Sequence, residues 1–183
     1  RGLTDEHELQ SWFIRQLDAH IASRGRRLIG WDEILEGGLA DGAAVMSWRG
    51  MDGGISAASA GHDVVMAPGE WTYYDHYQDE PKSEEPLCIG GMTTVAKVYS
   101  YEPIPVKLAP QFHHHVLGSQ GQHWSEYIPD MARLEYMAYP RVCALSEVLW
   151  TPAGQRNYTQ FLPRLAAHRE RLRAMGVNAH PRP

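Results

Sequence analysis

The chain has 183 residues, is 43% hydrophobic and carries a formal net charge of -5. That is enough chain for one domain with a real core, and it lacks the basic footprint of a nucleic-acid binder. No apolar run reaches the length of a membrane span and none reads as a signal peptide; since the chain opens at "RGLTDEHELQ" without Met, a fragment or processed product is expected, whose parent's location is unstated.

In chain order, Asp5-x-x-Glu8 starts a helix in capping-box style, and Leu9, Trp12, Phe13, Leu17, His20 and Ile21 recur at helical spacing until Gly25. "RRLIGW" is a short apolar strand ending in Trp31, and "AAVMSW" a second ending in Trp48. "DGGISAASAG" is a small-residue helix, and "DVVMAP" a third strand. From Pro68 to Gln111 runs a long excursion rich in Pro, Tyr and acids, with one short helix at 93–99. "HVLGSQ", from His115, is the fourth strand. A helix is expected at 130–150, then a restart at Thr151-Pro152. A last amphipathic helix at about 157–176 aligns Phe161, Leu162, Leu165, Leu172 and Met175, and Gly176 stops it.

Strands that are apolar throughout are expected to be buried on both faces, and helices between them indicate βα units in a parallel sheet. The fold class is therefore α/β with about four βα units. Four units make half of an eight-stranded barrel, which needs about 250 residues. A small open sheet and half a barrel both satisfy the periodicity.

Of the six tryptophans, Trp31 and Trp48 end the first two strands, Trp71 follows the third and Trp124 the fourth. Strand C-termini in parallel α/β folds carry the site, and an aromatic wall there suits the apolar face of a sugar. Asp75 and Glu126, each two residues beyond an aromatic, are candidate hydroxyl readers. Trp12 and Trp150, on helices, read as core filler, as do Met46 and Met66 in the strands. Cys88 and Cys143 read as two buried thiols. "HHH" at 113–115 cannot aim three rings at one metal from a strand. His123 reads as a rim histidine, and Asn157, in a formal glycosylation sequon, as a helix N-cap. The adjacent Asp32-Glu33 pair has the residue types of a sugar-cleaving acid and base, but it is expected to begin the turn after the first strand, where acids favour a helix N-terminus.

The stretches "GRRLIGWDEILEGGL", "VMSWRG", "GHDVVMAPGEWTYYDHYQ", "KVYSYEP", "VLGSQGQHWSEYI" and "EYMAYPRVCALSEVLW" together resemble the C-terminal half of the catalytic domain of glycoside hydrolase family 20, the β-N-acetylhexosaminidases. The resemblance implies units five to eight of a (β/α)8 barrel over residues 1–183, with the other half supplied elsewhere or replaced by self-association. It implies a retaining exo-enzyme removing terminal N-acetylglucosamine or N-acetylgalactosamine by substrate-assisted catalysis, an exception to the two-carboxylate scheme. Carried over residue by residue, Tyr73 holds the acetamido oxygen for attack. Trp31, Trp48 and Trp124 wall the pocket, and Asp75 and Glu126 hold the outer hydroxyls. No cofactor, metal, membrane or nucleic acid is implied. A periplasmic or secreted bacterial protein is.

The family's catalytic Asp-Glu closes a Gly-Gly-Asp-Glu motif on the fourth barrel strand, and this sequence contains no such motif. The isolated chain is therefore expected to be inactive. The competing expectations are a sugar-binding half-domain without turnover, and an ordinary retaining glycosidase built on Asp32 or Glu33 with Glu126.

Overall fold

The computed structural model describes residues 2–182. They fall into two compact units, one of Arg1–Pro68 with Pro103–Ser119 and one of Gly69–Glu102 with Gln120–Pro183.

Unit one holds a four-stranded parallel sheet in the order β1 (Ile29–Trp31), β2 (Ala44–Ser47), β3 (Val64–Met66), β4 (Val116–Ser119). Helix α1 (Glu6–Ala22) precedes it, and the Asp5 carboxylate caps α1 by accepting from the Glu8 N–H at 2.8 Å. The return arm of the box goes one residue further back, from the Thr4 N–H to Glu8. Helix α2 (Asp52–Ser59) lies on one sheet face, where Val45, Val64 and Met66 of the strands and Ala57 and Ala58 of the helix are wholly buried. Each such aliphatic side chain contributes about 1.5–3 kcal/mol by leaving water. The small residues of "DGGISAASAG" permit this approach, since a Cβ on Gly54 would collide with the Met66 sulfur.

The other sheet face departs from expectation. Ile29 is 50% and Leu117 60% exposed, and Met46 and Val65 are only half-buried. Apolar character on both faces is present, but α2 covers only one of them. The stripe of α1 is likewise bare, with Leu9, Phe13 and Leu17 exposed and Ser11 the buried residue.

Unit two contains α3 (Gly69–Thr72), α4 (Val95–Tyr99), α5 (Met131–Ala138), α6 (Arg141–Trp150) and α7 (Tyr158–Ala174). The single helix expected at 130–150 is two, because Tyr139-Pro140 interrupts it: proline lacks the N–H and biases the residue before it away from helix. Tyr139 is indeed extended, with ψ 136. Helix α7 starts as expected, Asn157 Oδ1 accepting from the Gln160 N–H at 3.0 Å. Phe161, Leu165 and Leu172 are buried, whereas Met175 lies past the last turn and is exposed. The Tyr99 ring joins α4 to α7, 4.9 Å from Phe161, and its hydroxyl accepts from the Asn157 N–H. Trp150 is no core residue: it is 88% exposed at the end of α6. Cys88 is buried and Cys143 half-buried, both as free thiols. No helix among the described residues is long and apolar enough to cross a membrane.

Candidate functional site

In unit one, Trp31 is the last residue of β1, in register with Met46, and Trp48 directly follows β2. Trp48 is held at both ends by the acidic pair. Asp32 is 1% exposed and accepts from the N–H groups of Trp48 (2.9 Å) and Arg49 (3.1 Å). The Arg49 guanidinium donates to Asp32 at 2.6 Å and to Glu36 at 2.7 Å. These carboxylates push the Arg49 pKa further up, and Arg49 in turn holds Glu36 below the usual carboxylate range. Glu33 accepts from the Trp48 indole N–H at 3.0 and 3.1 Å. Asp32-Glu33 thus sit on a 3-10 turn (Asp32–Leu35) as expected of acids at a turn's start, and their lone pairs go to orienting an indole. That role has a long-range cause no local pattern announces.

In unit two, the backbone after α3 runs parallel to the segment around Gln122. The Tyr74 N–H donates to Gln122 O and the Gln122 N–H to Thr72 O, both at 2.8 Å, forming a bridge at Tyr73. This register brings Tyr73 beside Trp124, ring centroids 6.3 Å apart and tilted by 60°. Gly121 is needed here, since a Cβ would stand 2.6 Å from the Tyr74 ring.

Asp75 is 7% exposed, and its Oδ1 is sealed with no hydrogen-bond partner among the described residues. Burial pushes its pKa up, the charge of Glu126 adds to that, and Arg141 opposes it. Glu126 itself is exposed, on the 3-10 turn Ser125–Tyr127, and borders a hollow of about 430 Å³ with Leu87, Tyr127 and Arg133. The structure therefore brings Tyr73, Asp75, Trp124 and Glu126 into one unit, and Trp31 and Trp48 into the other.

His123 is not the rim residue expected. It is half-buried, its ring edge meets Tyr74 at 5.3 Å, and its Nε2 is sealed without a partner among the described residues. Burial first, then Arg141, pulls its pKa down to about 4. His113 and His115 lie in or end a 3-10 turn (Pro110–His115), bound to Leu108 O at 2.9 Å and Asp63 at 3.1 Å. Among the described residues no group of three His, Cys, Asp or Glu side chains could hold a metal. Arg141, which no motif reading singled out, is buried beneath the Tyr74–His76 segment.

Comparison with known proteins comes down on one family. The family model described as glycosyl hydrolase family 20, catalytic domain, matches residues 1–153. A β-hexosaminidase of Porphyromonas gingivalis is 50% identical over 98% of this chain, which spans 23% of that relative. A β-hexosaminidase of Vibrio furnissii is 33% identical over 79% of this chain, covering 24% of its own length. Among solved structures, a family 20 exo-β-N-acetylglucosaminidase of Vibrio harveyi in complex with N-acetylglucosamine superposes with a TM-score of 0.86 at 32% identity, over 98% of this chain and 28% of that one. The chain thus spans about a quarter of these relatives.

Proposed function

The chain belongs to glycoside hydrolase family 20 and is an α/β part of its (β/α)8 barrel, and we propose that it supplies the sugar-holding half of a retaining exo-β-N-acetylhexosaminidase. The substrate is an oligosaccharide or glycoconjugate ending in β-linked N-acetylglucosamine or N-acetylgalactosamine. The observation that carries this reading is the Tyr73–Trp124 pair, 6.3 Å apart, with the buried Asp75 two residues on. The N-acetylglucosamine bound to the Vibrio harveyi enzyme supports the substrate class.

In this reading the sugar's acetamido oxygen attacks the anomeric carbon and forms an oxazolinium ion. The Tyr73 hydroxyl donates a hydrogen bond to that oxygen and fixes it in line, an electrostatic and positional contribution. Trp124, beside Tyr73, is one of the tryptophans that match the family's pocket residues, which enclose the acetamido group and stack under the ring, and Trp31 and Trp48 carry the same assignment by resemblance. Asp75 and Glu126 accept from the outer hydroxyls, and such charge-assisted bonds reject sugars lacking them. The acid that protonates the leaving oxygen, and the Asp before it, belong to the Gly-Gly-Asp-Glu motif that this sequence does not contain. Asp32 and Glu33 do not replace them, since both are engaged with Trp48 and Arg49.

The test is hydrolysis of a chromogenic N-acetyl-β-glucosaminide by this chain alone and with the complementary barrel half supplied. Turnover is expected only in the second case. Turnover by the lone chain that Glu33→Gln abolishes would sink the reading. The bare sheet face around Ile29 and Leu117 supports a companion proposal, that the chain alone self-associates until that half is present. Light scattering showing a monodisperse monomer would count against it.

A further inference from the structure

The donors of the Arg141 guanidinium end on main-chain oxygens. Nε and Nη2 both donate to Met137 O, Nη2 also to Tyr74 O, and Nη1 to His76 O (3.0 Å) and Thr93 O (3.1 Å). The side chain is fully buried, its guanidinium 5.0 Å from the Tyr74 ring centre, and no carboxylate among the described residues forms an ion pair with it. Burial lowers its pKa only to about 10, so it is a cation at neutral pH. A buried charge without a counter-ion is expensive, and an apolar side chain of similar volume would fill the space at less cost. The position of its partners suggests what the charge does. Tyr74 O and His76 O flank Asp75. Thr93 closes the same loop from the far side, its hydroxyl 3.0 Å from the His76 ring and its N–H on Tyr77 O.

We propose that Arg141 is a positioning residue that fixes Asp75, through the carbonyls on either side of it, at the depth where its carboxylate reads a sugar hydroxyl, and that lends this buried carboxylate the positive charge it needs. The inference rests on the reading of Asp75 as a hydroxyl reader. It is supported by what surrounds Asp75. The charge of Glu126 works against ionisation of Asp75. His76, next in sequence, is held toward its neutral form by burial, Arg141 and Lys82, and His123 by burial and Arg141, so neither ring supplies a counter-charge. Arg141 does, from the first residue of α6.

The test uses a full-length hexosaminidase carrying this segment, with kcat and KM for 4-nitrophenyl N-acetyl-β-glucosaminide measured from pH 4 to 9. Arg141→Met removes both fork and charge. KM is expected to rise about tenfold with kcat changing much less. Asp75 then protonates more readily, so the acid limb of kcat/KM moves up by about one pH unit. Arg141→Lys keeps the charge but cannot span four carbonyls, so KM rises while the limb stays at its wild-type position. In an Asp75→Asn background, Arg141→Met should no longer move the limb. A wild-type KM in Arg141→Lys overturns the proposal, and so does a limb shift that persists without Asp75. Should Arg141→Met fail to fold, the Lys variant decides alone. The underlying reading fails separately, if Asp75→Asn by itself leaves KM unchanged.

Discussion

Asp32 and Glu33 show how far residue type misleads without partners. Beside an indole they look like a glycosidase acid and base, and their oxygens instead hold the Trp48 main chain and ring. Asp32→Ala leaves two main-chain N–H groups and the Arg49 Nε with no acceptor, so unfolding in denaturant should show a loss of about 2–4 kcal/mol. Tyr73→Phe keeps the ring against Trp124 and removes one donor. In a full-length enzyme carrying it, kcat should fall about 100-fold with KM nearly constant, as for loss of one preorganised donor. His123 and Asp75 contribute to the pH response of unit two in opposite senses. His123 is depressed to about 4, so its contribution is complete above pH 6.5 and is lost as pH falls toward 4, since the unfolded ring protonates first. Melts across that window should flatten in His123→Phe, by about 2 kcal/mol once partial solvent screening is allowed for. Asp75 is shifted upward and works in the opposite sense, costing stability as pH rises through its folded-state pKa.

At the scale of elements, local signals were enough wherever a cap or an apolar run acts within a few residues. The Asp5 and Asn157 caps, the four strands and the short helix capped by Thr94 were all legible for that reason. The break between α5 and α6 was written in Tyr139-Pro140, but the apolar period ran across it and masked it. Partners far apart in sequence were not legible. Arg49 meets Asp32 across 17 residues, and Arg141 meets His76 across 65, and neither pairing leaves a periodic trace. Tyr73, Asp75, Trp124 and Glu126 entered as separate strand-end residues. Only the bridge at Gln122 explains why Tyr73 meets Trp124. Gly54 tests helix packing directly: Gly54→Ala drives a methyl into the Met66 sulfur and should cost about 1–3 kcal/mol by thermal melt, despite alanine's better helix propensity.

At the scale of the molecule, one sheet face is sealed by α2 and the other is not, and a strand set apolar on both faces has two coverings to find. In a whole barrel the second is the interior layer of side chains, which the strands of the other half would share. Adding that half should therefore protect Ile29 and Leu117 amides from hydrogen exchange, and unchanged protection would argue that the bare face stays wet. Barrels of this kind change their chemistry by exchanging loops on a fixed frame, and the grip of Arg141 bears on how freely that happens. Every residue offers the same carbonyl oxygen. An anchor that binds the carbonyls of residues 74 and 76 therefore holds the path of the chain whatever side chain stands at 75 between them. The segment can be re-dressed for a different sugar without being rebuilt, which makes it a natural place to graft specificity.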